Sequence, residues 1–247
     1  MEVRILGIAA PHRPGRRNTV VMLEEALRAA ETVSGVKTEL INIWGKKINF
    51  CTGCDACMGR GKAWGKGEVR EELFGCTIKD DMQELLSIFL SRELDGVIFA
   101  TPVHILGMSS RLKTFIDRLR PVVHQGTLRW AVGAVLSVAY LPIGGQESSN
   151  IDVYMALRGL GVISAGFAWG GVGVSGPAVG GPAPWDDHHP RFDVQNDKWG
   201  ISTAHWTGRN VAEIAKIVKL GRQAMPPEEF ETFIKSFHRL PKIFPKK

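Results

Sequence analysis

Short apolar runs alternate with amphipathic stretches along the chain, and this alternation constrains the fold more than any other feature of the sequence. Most of the runs are apolar without interruption, as in parallel strands buried on both faces, whereas one alternates as a strand near the sheet edge does. The predicted strands are 3–10, 37–43, 95–102, 131–139 and 162–169. The predicted helices are 18–33, 80–94, 109–119, 147–159 and 200–221. Because parallel strands are joined by right-handed helical crossovers, this order predicts an α/β fold with a doubly wound five-stranded parallel sheet and helices on both faces.

Residue types at the helix ends predict where several helices begin and end. Asn18 and Ser109 are good N-cap residues for the first and third helices, and Gly221 is a typical helix end. Asp80 and Asp81 fall in the first turn of the predicted helix at 80–94, where the helix dipole favours acids. This position gives the two acids a sufficient structural reason, so we do not interpret them as a catalytic pair.

Two segments interrupt the alternation of strands and helices. One is the cysteine-containing region at 44–79, and the other is GGVGVSGPAVGGPAP at 170–184, where nine of fifteen residues are Gly or Pro. A loop of that length in a compact domain is usually functional or disordered. We predict one domain at 1–224 that carries the cysteine insertion, and a basic helical tail at 225–247 that packs on the domain or on a partner subunit.

Composition and charge exclude several classes of protein. The net charge is +6, but Lys and Arg are spread along the chain, which argues against nucleic-acid binding and suits an anionic cofactor or an acidic protein partner. No apolar run reaches the ~18 residues that span a bilayer, and the N-terminus does not resemble a signal peptide. We therefore expect a cytoplasmic protein without a membrane segment.

All four cysteines lie in one region of the sequence, and their spacing indicates a metal centre. Cys51, Cys54 and Cys57 form C-x₂-C-x₂-C, the spacing of bacterial ferredoxins, in which a further cysteine completes an iron–sulfur cluster. Four-cysteine zinc sites usually pair two C-x₂-C units, so zinc fits less well, although zinc and a metal-free loop stay open at this point. Cys76 follows Cys57 only after a Gly-rich, charged insertion.

The loops after the predicted strands should form a binding rim, because ligands of open parallel sheets bind outside the carboxyl ends of the strands. We place the loops 9–18, 44–79, 101–108, 139–147 and 170–199 on this rim. The first loop can present backbone N–H groups and arginines to a phosphate, but it matches neither a dinucleotide fingerprint nor a P-loop.

Four stretches together resemble one known family. PHRPGRRNT, CTGCDACM with CTIKDDM, ATPVHILGMSSRLKTFIDR and GGQES are similar to the iron–sulfur flavoprotein branch of the NAD(P)H-dependent FMN reductases, a flavodoxin-like family. The resemblance covers roughly residues 3–220. It implies a flavodoxin-like fold, bound FMN, a [4Fe-4S] cluster on four cysteines, and assembly as a homodimer or homotetramer. The chain departs from the family pattern at Pro11, where Ser is usual, at His104, where an aromatic such as Tyr is common, and in the longer interval before Cys76.

The resemblance assigns roles to particular residues. The FMN phosphate would be held by Arg13, Asn18 and Thr19. The isoalloxazine ring would be lined by Thr101, Pro102, Val103, His104, Ile105, Leu106 and Gly107, and bordered by Tyr140, Gly144, Gly145 and Gln146. The cluster would be ligated by Cys51, Cys54, Cys57 and Cys76.

These roles predict an FMN-dependent oxidoreductase that transfers electrons between FMN and a [4Fe-4S] cluster, and so links two-electron to one-electron carriers. No catalytic side chain is needed, because the cofactors carry the chemistry. The expected partners are a ferredoxin-like or other redox protein and NAD(P)H. Two alternatives stay open: an NAD(P)H-dependent FMN or quinone-type reductase without a working cluster, and a zinc-stapled regulatory or nucleic-acid-binding module.

Overall fold

The computed structural model describes residues 1–58, 75–91, 93–139, 144–165 and 193–238, which form a parallel sheet covered by helices. The strands are β1 (Val3–Ala9), β2 (Val36–Asn42), β3 (Gly96–His104), β4 (Gly107–Met108), β5 (Val132–Val138) and β6 (Ile163–Ser164). Their order is β2-β1-β3-β5-β6, with all five parallel, and β4 pairs antiparallel with β3. This is the flavodoxin-like strand order, and it confirms the predicted fold class.

Helices cover both faces of this sheet. They are α1 (Asn18–Ala30), α2 (Met82–Leu90), α3 (Ser110–Asp117), α4 (Arg120–Gln125), α5 (Gln146–Gly159), α6 (Lys198–Ala224) and α7 (Pro227–His238). Helices α1 and α6 pack on one face, against side chains such as Ile5 and Ile98. Helices α2 to α5 pack on the other, against Leu6 and Phe99. The inner strands are therefore apolar on both faces, which is why they appear in the sequence as uninterrupted apolar runs.

Several predicted helix boundaries were wrong. Asn18 is the first helical residue of α1 and not its cap, because Arg17 is the cap and the Asn18 Oδ1 accepts the Val194 N–H at 3.4 Å. Gly221 lies inside α6, which continues to Ala224. The helix predicted at 109–119 ends at Asp117, and α4 begins at Arg120. Ser109 does cap α3, since its side chain accepts the Leu112 N–H.

The C-terminal helix α7 folds back onto its own domain. The Arg129 Nη1 donates to the Phe233 carbonyl at 2.6 Å, and the Trp130 and Phe233 rings lie 6.4 Å apart. Because Arg129 and Trp130 directly precede β5, α7 covers the amino-terminal edge of the sheet, opposite the predicted binding rim. No helix in the described ranges is long and apolar enough to cross a membrane.

Candidate functional site

Three of the predicted FMN loops meet at the carboxyl ends of β1, β3 and β5. The first loop touches the β3–β4 hairpin through the His12 and His104 rings, whose centroids are 4.4 Å apart. The hairpin in turn contacts the loop before α5, where a Cβ added to Gly145 would lie 2.6 Å from the Leu106 Cα. The Ser148 hydroxyl also bonds to the Leu106 carbonyl. These contacts place the three loops side by side on one rim.

The turn of the β3–β4 hairpin has a backbone conformation that is energetically unfavourable for its two residues. Ile105 and Leu106 adopt positive φ angles of 47° and 60°, a left-handed region that residues with a Cβ rarely occupy. Their side chains are 99% and 64% exposed, respectively. Two exposed apolar side chains on a strained turn offer a surface suited to an apolar ring, and strain of this kind concentrates at ligand sites.

Three of the predicted flavin-binding residues have side chains that are buried in the protein beneath the loops. The Thr101 hydroxyl is buried, donates to the Ser109 Oγ at 3.0 Å and accepts the Ser109 N–H at 3.2 Å. Gln146 is fully buried, and its Oε1 accepts the Gly144 N–H at 2.9 Å. Thr19 is also buried. In this structure these three side chains therefore face the protein.

The remaining predicted flavin residues are more accessible. His104 and Arg13 are exposed, and Pro102, Val103 and Gly107 are half-buried. Tyr140 lies outside the described residues. The residues present on the rim fit FMN, because an arginine of the first loop, an apolar turn and a close backbone contact lie on one edge of the sheet.

His12 is a rim residue that the sequence did not single out. Its Nε2 is buried and has no hydrogen-bond partner in the part of the chain that the structure describes. Burial lowers the pKa of His12, and the neighbouring His104 and Arg111 lower it further. His12 is therefore held neutral beside a second imidazole, and only its place in the first loop could have pointed to it.

The four cysteines line a single cavity. Cys51 and Cys54 lie in the irregular segment after β2, Cys57 lies in a short 3₁₀ helix at Ala56–Met58, and Cys76 precedes α2. None forms a disulfide. The cavity is also lined by Arg118 and Arg120, from the junction between α3 and α4. The predicted ligands are thus brought together across the insertion, whose residues 59–74 lie outside the described ranges.

The surroundings favour a negative charge on Cys54 and oppose one on Cys57. The Ala56 N–H and then the Thr77 hydroxyl lower the pKa of the Cys54 thiol. Burial raises the pKa of Cys57, against the opposing charge of Arg120. Arg120 bonds to Asp55 at 2.7 Å, and hydrogen bonds to Asp55 and then Cys51 raise its pKa. Guanidinium groups placed in this way compensate thiolates bound to a metal centre.

Arg118, which the sequence analysis did not identify, is the more deeply buried of the two arginines. Its side chain is 0% exposed, and its Nη1 and Nη2 donate to the Asp80 carboxylate at 2.7 and 3.0 Å. Its Nε is buried and has no hydrogen-bond partner among the described residues. Asp80 precedes α2, so its predicted role in the first turn of a helix was wrong, and the residue is instead half of a buried ion pair.

The cysteine cavity lies one helix length away from the FMN loops. Segment 43–49 runs beside α3: the Ile43 carbonyl accepts from Arg111 in the first turn of α3, and the Asn49 carbonyl accepts from Arg118 at the other end. The eight residues of α3 span about 12 Å. The region 44–79 therefore starts at the rim as predicted, but its cysteines lie beyond the rim, at the far end of α3.

Solved structures with this architecture include RosB, whose structure holds an 8-demethyl-8-formylriboflavin-5'-phosphate intermediate, and a flavone reductase. RosB superposes with a TM-score of 0.62 at 17% identity, covering 99% of this chain and 90% of its own. A flavone reductase superposes with a TM-score of 0.60 at 21% identity, covering 88% of this chain and 64% of its own. At these identities the similarity establishes the fold, which is flavodoxin-like.

Sequence comparison identifies the family. The family model of the NADPH-dependent FMN reductases matches residues 3–170. An iron-sulfur flavoprotein of Methanocaldococcus jannaschii is 32% identical over 222 residues, which cover 88% of this chain and 100% of the relative. An iron-sulfur flavoprotein of Archaeoglobus fulgidus is 36% identical over 168 residues, or 68% of this chain and 67% of the relative. The chain belongs to the NADPH-dependent FMN reductase family, in its iron–sulfur flavoprotein branch, and is an FMN-dependent oxidoreductase.

Proposed function

We propose that this oxidoreductase holds FMN on its three rim loops and a [4Fe-4S] cluster on Cys51, Cys54, Cys57 and Cys76. In this proposal electrons pass between the two cofactors, so that a two-electron donor or acceptor is linked to a one-electron carrier. FMN supplies two-electron and one-electron chemistry when bound, and the cluster supplies one-electron chemistry. The protein contributes ligands, orientation and charge.

The observation that carries this proposal is the convergence of the four cysteines with two arginines on one cavity. A cluster bound by four thiolates is anionic, and hydrogen bonds and positive charge around its sulfurs stabilise it. The buried Arg118 Nε, which lacks a hydrogen-bond partner within the described ranges, is a donor suited to an anionic sulfur. The donor set therefore fits an iron–sulfur cluster.

Zinc fits this arrangement less well. Four thiolates at the usual Zn–S distance of about 2.3 Å would bring their sulfurs within about 4 Å of one another. In the described part of the chain, no three His, Cys, Asp or Glu side chains are arranged to hold a metal ion. The preference for the cluster rests on the C-x₂-C-x₂-C spacing of Cys51, Cys54 and Cys57, which is typical of iron–sulfur ligands.

Two imidazole rings border the proposed flavin site. His104 is exposed at the end of β3, and His12 lies against it. In the proposal the exposed His104 ring offers a hydrogen-bond donor to the flavin.

We further propose an acidic, ferredoxin-like protein as the one-electron partner, and NAD(P)H as a hydride donor. The net charge of +6 supports an acidic partner. Phe50, next to Cys51, is 75% exposed, so the surface beside the cavity offers an apolar contact as well. Assembly as a homodimer or homotetramer in the cytoplasm is part of the same proposal.

Optical and chemical analysis of the anaerobically purified protein tests the function. We expect flavin bands over broad visible absorption that bleaches with dithionite, together with stoichiometric iron and sulfide. Flavin without iron and sulfide would instead support a reductase without a working cluster. Bound zinc without flavin would support the metal-stapled module.

A pair of neighbouring substitutions tests the ligand set. Cys76→Ala should lose iron while keeping FMN, because it removes a proposed ligand. Lys79→Ala is the matched control: it changes an exposed residue of the same segment and removes no ligand, and should keep its iron. An iron content unaffected by Cys76→Ala would remove Cys76 from the ligand set.

A further inference from the structure

Arg118 connects the two chain segments that carry the cysteines. From the end of α3 it donates to the Asn49 carbonyl at 2.7 Å and to both oxygens of Asp80. The Asp80 carboxylate closes the arrangement by accepting the Asn49 N–H at 2.8 Å. Asn49 lies two residues before Cys51, and Asp80 lies four residues after Cys76. One buried guanidinium thus fixes the start of the first segment relative to the end of the second.

These contacts lie outside the insertion between Cys57 and Cys76. The chain can therefore differ in length or conformation between these cysteines while its two ends stay at a fixed separation. The entropic cost of a longer closed loop grows only slowly with its length. Because Asn49 and Asp80 are held together, Cys76 can lie beside the other three cysteines even though it follows them after a long interval.

Arg118 also lines the same cavity as Cys76. Two of its nitrogens are used on Asp80 and Asn49, whereas its buried Nε has no partner among the described residues. A buried donor that lacks a partner is costly, and a metal-bound thiolate at Cys76 would satisfy it.

The ion pair between Arg120 and Asp55 does not duplicate this function. Its side chains are 34% and 35% exposed, and Asp55 lies between Cys54 and Cys57, so this ion pair is more exposed than that of Arg118 and Asp80 and involves the first cysteine segment. Arg118 is fully buried and donates to Asn49 before the first segment and to Asp80 after the second.

We propose that Arg118 is a positioning residue for the cluster, which brings Cys76 to the other three cysteines across the insertion. This inference rests on the proposed function, since it presupposes a cluster on these four thiols. It assigns Arg118 a role through ligand placement and through a hydrogen bond to the Cys76 sulfur, and it predicts that cluster binding depends on Arg118 more than FMN binding does.

The test measures iron, sulfide and FMN in full-length protein after anaerobic reconstitution with iron and sulfide. In Arg118→Met we expect the iron concentration for half-reconstitution to rise about tenfold or more, as for other lost outer-shell partners of metal ligands, with FMN retained. Electron paramagnetic resonance should show a three-iron cluster in the oxidised variant, because the fourth thiolate is misplaced. Arg118→Lys keeps the charge and should recover part of the affinity.

Lys219→Met is the control for a general loss of stability. Lys219 pairs with Asp95 at 2.6 Å, partly buried at the other end of the sheet, so its removal should weaken folding without changing iron per FMN. The inference is overturned if Arg118→Met reconstitutes at the same iron concentration as the wild type and gives the same spectra. It is also overturned if Arg118→Met and Lys219→Met lose iron and FMN to the same extent. Wild-type protein that binds FMN but no iron would refute the proposed function instead, so the two failures are distinguishable.

Discussion

Replacing Asp80 by Asn should destabilise the protein by about 3 kcal/mol at neutral pH. Burial alone would raise the pKa of Asp80, but hydrogen bonds from Arg118 and from the Asn49 and Met82 N–H groups outweigh it and lower the pKa to about 2. Relative to the ordinary value of 3.8, this shift corresponds to about 2 kcal/mol of stability from the ionised carboxylate. The amide also leaves the fully buried Arg118 without its counter-charge, and breaking a buried pair costs about 3–5 kcal/mol.

The pH dependence of this effect has a definite sign. Because the folded pKa of Asp80 is depressed, its contribution is complete above the unfolded value of 3.8 and is lost as the pH falls through about 2. Urea unfolding of the metal-free protein, followed by far-ultraviolet circular dichroism, should therefore show a gap between wild type and Asp80→Asn that narrows by about 2 kcal/mol from pH 6 to pH 2.

Asp81→Asn provides the matched control, because it changes the neighbouring acid in the same way. Asp81 is exposed, and its Oδ2 accepts only the Lys47 N–H among the hydrogen bonds described for it. We expect its substitution to cost less than about 1 kcal/mol. The reasoning fails if Asp80→Asn costs no more than Asp81→Asn, or if the gap for Asp80→Asn is the same at both pH values.

Four further substitutions test other parts of the structure. Gly208→Ala places a Cβ 1.8 Å from the Ala26 carbonyl oxygen and should lower the free energy of unfolding by about 2 kcal/mol. Gly221→Ala, where the added Cβ meets open space, should raise the free energy of unfolding by about 0.5–1 kcal/mol. Urea titrations measure both changes. His12→Phe should flatten the stability profile below pH 6.5, because the lowered pKa of His12 makes the unfolded chain bind protons more readily than the folded one; an unchanged profile would contradict this. Gly145→Ala, with φ near +94° and no room for a Cβ, should weaken FMN binding measured by fluorescence titration, and unchanged affinity would mean that the loop before α5 does not shape the flavin site.

The strands were predictable from the sequence because burial on both faces leaves a local signal. In β3, Ile98 faces α1 and α6 whereas Phe99 faces the helices of the opposite layer. Odd-numbered and even-numbered positions of the strand must therefore both be apolar. Helix ends are set by non-local contacts and were predicted less well. Asn18 bonds to the backbone of Val194, far away in the sequence, and Gly221 stays helical because α6 continues to a cap at Met225.

The candidate site was predictable to the extent that its chemistry is local. The spacing of Cys51, Cys54 and Cys57 indicates a metal centre without any knowledge of the fold. The partner of Asp80 could not be predicted, because Arg118 lies 38 residues away and only the packing of α3 brings the two together. A buried arginine has no signature in the sequence of an amphipathic helix, where long charged side chains usually extend to solvent.

Helix α3 connects the two candidate cofactor sites. At its start, Ser109 caps the helix and also bonds to Thr101 at the end of β3, which ties it to the FMN hairpin. At its end, Arg118 and the following Arg120 line the cysteine cavity. Because Leu112 and Phe115 are fully buried between these ends, α3 is held rigidly by the core. The packed helix therefore resists movement of the residues at either site. The distance between the two sites is set by the length of α3 and does not depend on the loops that carry the ligands.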